Sequence, residues 1–415
     1  MRTPTSLTEQ MAITDGPIFY ISRFLGLAPC SIEKKDGRKI SFNLSAIFCI
    51  YSFTVATFGV VLGTLGVLND LWAGNNSIRM KERTARIVTV ADIASIFFLA
   101  CLGIFGAPFR LPNIRKFYES LVQIDSILPP IRVKQFRNLS YYYLSGTVLL
   151  VTFVLGIDLY AWMRFAKMNN EGEFVVRNYL PFYCCYYVVM VLELQYAHDY
   201  KNNKQSWKVS VKPTSSTTEP RHLGSVIDLL SRNNKINDDL FNFKENNLIT
   251  NSKDYVLQLC RVHSTLCEAV IQLNEGFGFC VLIILISCLL HLIETPYFLL
   301  IEITGRNDHL FTIIQILWIG IHSLRIFIII QPANDAINES KITKVQVCNL
   351  LCCANLDEKL RKELEIFSLQ LIHRTVEFTA CGLCTLDRRL ISAITGAVTT
   401  YLVILFQFNQ GADKE

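Results

Sequence analysis

The chain has 415 residues, of which 51% are hydrophobic and only 18% charged, and its mean hydropathy is +0.33. That balance is too apolar for an ordinary soluble domain and points to a polytopic membrane protein. The net charge of +5 is modest, and the basic residues flank apolar runs rather than forming one stripe, so no nucleic-acid partner is expected.

Residues 1–40 contain PIFYISRFLGLAP, an apolar stretch interrupted by Arg23 and followed by Lys34, Lys35, Arg38 and Lys39. It is too short to span a bilayer. With no basic leader and no small-residue cleavage site, it reads as a cytoplasmic interfacial or bundle-packed helix rather than a removable signal. Seven spans then fit the hydropathy, at 42–68, 87–109, 140–161, 179–199, 277–302, 309–331 and 390–409. An inside N-terminus puts three-quarters of the 40 lysines and arginines on the cytoplasmic side, with Arg79, Lys81, Arg83 and Arg86 the main exceptions.

The expected fold class is therefore all-α: a polytopic membrane protein of seven transmembrane helices, with its N-terminus cytoplasmic, its C-terminus extracellular, and cytoplasmic helical extensions. A seven-helix G-protein-coupled receptor has the opposite orientation, and an odd span count argues against an inverted-repeat transporter. Six segments follow from this reading. Residues 1–40 are a cytoplasmic segment, 41–199 hold helices one to four, and 200–253, rich in Asn, Lys, Ser and Thr, are a disordered cytoplasmic loop. Residues 254–331 hold a cytoplasmic extension and helices five and six, 332–389 a cytoplasmic helical anchor, and 390–415 the last helix and tail.

Within span one, Gly59 and Gly63 form a small-xxx-small pair suited to tight packing. Residues 111–138 read as two short helical pieces broken by Pro129 and Pro130. Beyond the loop, Leu259, Val262, Leu266, Val270 and Leu273 make one apolar seam, and Leu360, Leu364, Phe367 and Leu371 make another. Docked together, these seams predict a cytoplasmic helical base that holds subunits together. Asn75, in NNS, falls outside as a glycosylation acceptor, while Asn138, in NLS, falls inside and stays bare.

All fourteen cysteines lie in spans, at their edges or in cytoplasmic segments, so extracellular disulfides are not expected. Cys381 and Cys384 form C-x-x-C without a second pair or a histidine motif, so neither metal nor cofactor is expected. No phosphate loop or hydrolase elbow is present, and enzymatic function is not indicated.

Ionisable groups at membrane depth are costly and face cavities or partners. Asp92, Asp158, Glu193, His198, His291, Glu294, His322 and Arg325 are the candidates. In span five, His291, Glu294, Thr295 and Phe298 share a face with Tyr297 beside it, and in span six Gln315, Trp318, His322 and Arg325 share another. Trp162 and Arg164 stand at the outer end of span three. Aromatic faces beside hydrogen-bonding groups are what a sugar needs, because its C–H faces stack on rings while its hydroxyls are paired. The same residues also suit salt bridges within a bundle and, for Trp162, an interfacial belt.

The stretch from Phe367 to Phe408 reads as two helices joined by a kink, the first from Phe367 to Phe378 and the second uncharged from Leu390 to Phe408. Gly396, Thr400, Ile404 and Gln407 recur on one face, with Tyr401 and Phe408 on a neighbouring one. This small, hydroxylic stripe suits either a water-filled pathway shared by several copies or a helix packed inside a monomeric bundle.

Thr400 and Tyr401, five apolar residues, then Gln407 and Phe408 resemble the C-terminal signature of insect gustatory receptors. HRTVEFTACG and TLD, upstream, are similar to that family too, and FYISRFLGLAP and LHLIETPYFLLIE resemble its fructose-receptor branch. The resemblance implies a sugar-gated, non-selective cation channel in the plasma membrane, a homotetramer whose last helices line one central pore. It implies fructose as ligand, Na, K and Ca as permeant ions, and an outer-leaflet pocket among spans two to six. Trp162, Thr295, Tyr297, Gln315 and Trp318 match its sugar-contacting positions, and Arg164, Glu294 and His322 join them on physical grounds. Thr400, Ile404, Gln407 and Phe408 are the pore and gate residues, with the aromatic closing by dewetting and the amide hydrating a cation. A receptor for another tastant, a metabotropic receptor and a transporter are the other readings.

Overall fold

The structure is a computed structural model that describes residues 7–35, 39–73, 83–127, 133–167, 172–211, 242–301, 309–352 and 356–412. Helix α1 (Leu7–Phe24) leads into an antiparallel hairpin of β1 (Cys30–Lys35) and β2 (Lys39–Leu44), with Cys30 opposite Leu44. Eight helices follow: α2 (Ala46–Ala73), α3 (Arg83–Phe105), α4 (Ala107–Ile127), α5 (Val133–Lys167), α6 (Gly172–Val211), α7 (Asn242–Ile301), α8 (His309–Leu351) and α9 (Glu358–His373). A second hairpin, β3 (Thr379–Ala380) with β4 (Cys384–Thr385), precedes the last helix, α10 (Arg388–Ala412).

Among the described residues, α2, α5, α6, α7 and α8 are long and apolar enough to cross a membrane, and α3 with α4 makes a sixth candidate bent by 60°. The uncharged run of α10 completes the expected set of apolar segments. The chain is thus a helical, multi-pass membrane protein.

Membrane packing is visible in α2. Its buried residues are Ser52, Ala56, Gly63, Gly66 and Asp70, a narrow stripe of small or polar groups, while Ile47, Ile50, Phe58 and Leu65 are exposed. Lipid is as apolar as leucine, so close backbone approach rather than burial of large side chains holds such a helix. A Cβ at Gly63 would lie 1.9 Å from the Phe97 ring, and one at Gly66 would lie 2.1 Å from the Asn178 carbonyl oxygen. Gly59, by contrast, has open space around it. At the end of α2 the buried Asp70 accepts a hydrogen bond from the Tyr179 hydroxyl of α6.

The break between α3 and α4 falls at Gly106 and is stabilised by Arg110. Its Nη1 donates to Leu102 O at 3.0 Å and its Nη2 to Gly103 O at 2.5 Å. Both carbonyls lie in the last turn of α3, where backbone partners run out, and Leu102 O also accepts from the Gly106 amide at 3.0 Å. Arg110 Nη1 also approaches Cys280 Sγ at 3.4 Å, tying the elbow to α7.

Helix α6 is the central column, packed against α2, α3, α5, α7 and α8. Helix α7 has 60 residues, roughly 90 Å at 1.5 Å per residue, far beyond the ~30 Å of hydrocarbon. Its excess length projects into a helical base. There Val256 and Leu259 of α7 meet Val347 and Leu350 of α8 and Leu360, Leu364, Phe367 and Leu371 of α9 in one buried cluster. The two seams read from the sequence dock in part through this cluster. Asp357 caps α9, accepting from the Lys359 and Leu360 amides.

Several details depart from the sequence reading. Neither hairpin is foreseen by hydrophobic periodicity, and the segment expected to be helical to Phe378 leaves the helix after His373. Its kink is a hairpin whose turn places Cys381 at φ 54° and Gly382 at φ 69°, the left-handed region that glycine tolerates best. Helix persists to Val211 and resumes at Asn242 inside the segment read as a loop, whose middle, 212–241, lies outside the described residues. The first piece expected before Pro129 is α4, while the second is the opening of α5 itself, and both prolines lie outside the described residues, as does Asn75.

Gly66→Ala should lower the melting temperature of the detergent-solubilised receptor, with a cost of about 1–3 kcal/mol from overpacking. Gly59→Ala should leave it unchanged. Equal behaviour of the two variants would contradict the close contact at Gly66.

Candidate functional site

Five helices, α3, α5, α6, α7 and α8, each send polar or aromatic side chains into one buried ladder. Its centre is Arg325 on α8, which grips Glu193 on α6 with Nη2 2.6 Å and Nε 2.9 Å from Oε1. Both residues are buried. A charge at this depth needs a partner, and a forked guanidinium–carboxylate pair supplies charge and hydrogen bonds together.

The remaining guanidinium nitrogen, Nη1, faces His322 Nδ1 at 3.1 Å, one turn away on the same helix. A guanidinium only donates, so Nδ1 accepts and the imidazole proton resides on Nε2. The His322 ring stacks on His291 of α7, with centroids 4.3 Å apart, and lies nearly parallel to Trp318 at 5.5 Å. His291 Nδ1 in turn lies 3.2 Å from Asp92 Oδ1 on α3, while its Nε2 is buried with no hydrogen-bond partner.

A branch of the ladder leaves through Trp318. Its Nε1 donates to Asp158 Oδ1 on α5 at 3.3 Å, and Asp158 Oδ2 accepts the Tyr183 hydroxyl from α6. Tyr186 packs on the Trp318 ring at 5.3 Å. Near the C-terminal end of α5, Trp162 meets Phe311 edge-on at 5.1 Å in a small cluster with Ala161 and Ile314 that Trp318 also joins.

The structure therefore brings together Trp162, Trp318 and His322 of the expected sugar residues. Thr295 is buried one turn from His291, and Glu294 beside it is half-buried. Tyr297 packs on Phe298, and Gln315 is half-buried one turn before Trp318. Arg164 is exposed. Among the described contacts, none joins Tyr297, Gln315 or Arg164 to the stack.

Tyr183, Tyr186 and Phe311 are additional members. Their signal is the aromatic face of α6, where Tyr179, Tyr183 and Tyr186 recur at steps of four and three. The first two of these tyrosines meet isolated acids on other helices. Below Trp318, a cavity of about 40 Å³ opens among Leu150, Tyr186, Met190, Glu193, Ile321 and Arg325. That volume holds about three waters.

The last helix has a different character. Asp387 caps it, accepting from the Arg389 and Leu390 amides at 2.9 and 3.3 Å. Leu390, Ile391 and Ile394 pack against the bundle, while Ser392, Gly396, Thr400, Ile404 and Gln407 are exposed. Thr395, Thr399 and Thr400 each donate to the carbonyl four residues earlier, at 2.8–2.9 Å. The hydroxyl protons are thereby committed to the helix, and oxygen lone pairs remain for whatever the face meets. The Phe408 side chain lies outside the described residues.

The sequence model of the 7tm chemosensory receptor family matches residues 16–411. The chain is 30% identical to a gustatory receptor for sugar taste, 43a, of Drosophila melanogaster, across 95% of this chain and 97% of that one. It is 25% identical to the putative gustatory receptor 28a of the same fly, across 94% and 90%. In fold it resembles the insect olfactory receptor OR5 from Machilis hrabei solved with eugenol, with a TM-score of 0.64 at 10% identity, covering 96% of this chain and all of that one. A family model spanning nearly the whole sequence, together with full-length likeness to a sugar-taste receptor, identifies the chain as a gustatory receptor of the 7tm chemosensory receptor family.

Proposed function

We propose that this receptor is a sugar-gated, non-selective cation channel of the plasma membrane, with fructose as the sugar. Its N-terminus faces the cytoplasm and its C-terminus the outside, and four copies place α10 around one pore that passes Na, K and Ca. The observation that carries the ligand reading is the stack of Trp318, His322 and His291, flanked by Asp92 and Asp158, in a chain similar from end to end to a receptor named for sugar taste. Rings offer stacking surfaces to sugar C–H faces, and the unpaired His291 Nε2 offers a polar contact to a hydroxyl. Trp162, Glu294, Thr295, Tyr297 and Gln315 complete the pocket towards the outer surface, with the exposed Arg164 at its rim.

The pore reading is supported by the exposed stripe of α10. A membrane helix that leaves glycine, threonine and glutamine uncovered in one chain is suited to water or to neighbouring copies rather than hydrocarbon. Thr400, Ile404 and Gln407 line the path in this reading, and Phe408 closes it. No carboxylate ring occupies the stripe, consistent with weak selectivity among small cations. Sugar opens the gate only through a difference in affinity between closed and open arrangements of the helices. The small cavity beneath Trp318 provides such a difference, because a hexose has to separate the helices around it.

Whole-cell recording from cells expressing this chain alone, with G-protein signalling blocked, tests the reading directly. Fructose, and not glucose, should evoke a rapid inward cation current. Silence with confirmed surface expression would reject the self-sufficient sugar-gated channel. Trp318→Ala should raise the half-activating fructose concentration about tenfold, equivalent to about 1.4 kcal/mol, while the exposed Arg164 replaced by Ala should shift it by less than about threefold. Gln407→Ala should change unit conductance or open probability at unaltered surface expression, and identical single-channel records would remove Gln407 from the pore.

A further inference from the structure

Among the described residues, the strand that opens the hairpin before α10 is hydrogen-bonded to α7 through Asn274. Asn274 Nδ2 donates to Glu377 O at 2.8 Å, and Asn274 Oδ1 accepts from Thr379 N at 3.1 Å. A single amide thus occupies both backbone groups that a neighbouring strand would pair, the arrangement that fixes register as well as distance. One turn along α7, a Cβ at Gly278 would lie 3.0 Å from the Cys381 backbone nitrogen, so the hairpin turn rests on the helix surface.

Beyond this attachment the strands are held by burial and hydrogen bonds. Phe378, between the two bonded positions, is fully buried and stacks on Tyr200 of α6 at 4.5 Å. The Leu386 amide donates to Phe378 O at 2.8 Å, and Leu386 is fully buried as well. The next residue, Asp387, is the cap of α10. The two strands of the hairpin are therefore anchored at Phe378 and Leu386, next to the cap of the last helix, while the turn at residues 381–383 is exposed. Other links between α7 and this region, among them Gln370 to Cys260 O at 2.9 Å and Arg374 to Ser264 Oγ at 2.6 Å, grip the end of α9 instead.

We propose that Asn274 is a positioning residue for gating, which passes displacement of α7 to α10 through the strand from Glu377 to Thr379. The inference rests on the channel reading above. Asn274 lies 17 residues from His291 on the same helix, roughly 25 Å at 1.5 Å per residue, so it takes no part in holding sugar. Apolar contacts between α7 and the hairpin slide when the helix rotates. Two directional hydrogen bonds do not.

The test compares wild type, Asn274→Ala and Asn274→Asp in whole-cell recording, alongside binding of labelled fructose to the purified receptor and quantified surface tetramer. Asn274→Ala should cut the maximal fructose current at least fivefold per surface receptor while leaving fructose binding unchanged. The aspartate keeps the acceptor for Thr379 N but turns a second oxygen towards Glu377 O, and its loss should be intermediate. Gly278→Ala, which presses on the hairpin without removing a hydrogen bond, should shift the half-activating concentration with binding unchanged. Wild-type maximal current in both Asn274 variants would overturn the proposal, as would current lost only in proportion to surface tetramer or bound sugar. If Asn274→Ala does not reach the surface, normal gating in Asn274→Asp overturns it alone. A silent wild type, in contrast, rejects the channel reading and not this link within it.

Discussion

The pair of Arg325 and Glu193 is the constraint from which the rest of the ladder follows. Two opposite charges are buried together on two helices long and apolar enough to cross a membrane. Removing one partner would leave the other uncompensated in a low dielectric, a loss that typically costs about 3–5 kcal/mol. Once α6 and α8 are locked by this pair, the orientation of His322 is set by the leftover guanidinium nitrogen, and that of His291 by stacking on His322. Asp92 and Asp158 then find partners within reach, so five helices share one polar network.

Each member also constrains what can bind. The imidazole of His322 has its acceptor nitrogen occupied, and the Trp318 indole proton is given to Asp158. A ligand approaching this stack therefore meets ring faces more than free polar edges, with His291 Nε2 as a buried exception. The fit of a ligand then depends on which of its polar groups can reach that nitrogen and which of its surfaces lie over an aromatic face.

Much of this was legible before any coordinates. Uncharged runs located the membrane helices, and isolated ionisable residues within them named Asp92, Asp158, Glu193, His291, His322 and Arg325, because charges in hydrocarbon are too costly to place idly. Pairing was not legible: nothing in spacing says that Arg325 chooses Glu193 over Glu294 or Asp92, since partners on different helices are decided by helix rotation and depth. Tyr183 and Tyr186 were hidden by abundance, standing in a span where five tyrosines crowd within nineteen residues from 179 to 197. The hairpin before the last helix escaped because its strands are two residues each, too short for any periodicity. Yet its motif residues have physical roles: in TLD the leucine is buried and the aspartate caps a helix, and in VEF the flanking residues are buried while the glutamate supplies a carbonyl to Asn274.

The threonines of α10 bear on how such a protein is made. Because Thr395, Thr399 and Thr400 satisfy their hydroxyl protons on their own helix, this face presents no unpaired hydroxyl donor from them to hydrocarbon. A newly inserted chain therefore loses less on bringing this face into the bilayer than three free hydroxyls would cost it, and their lone pairs stay available to whatever the face meets.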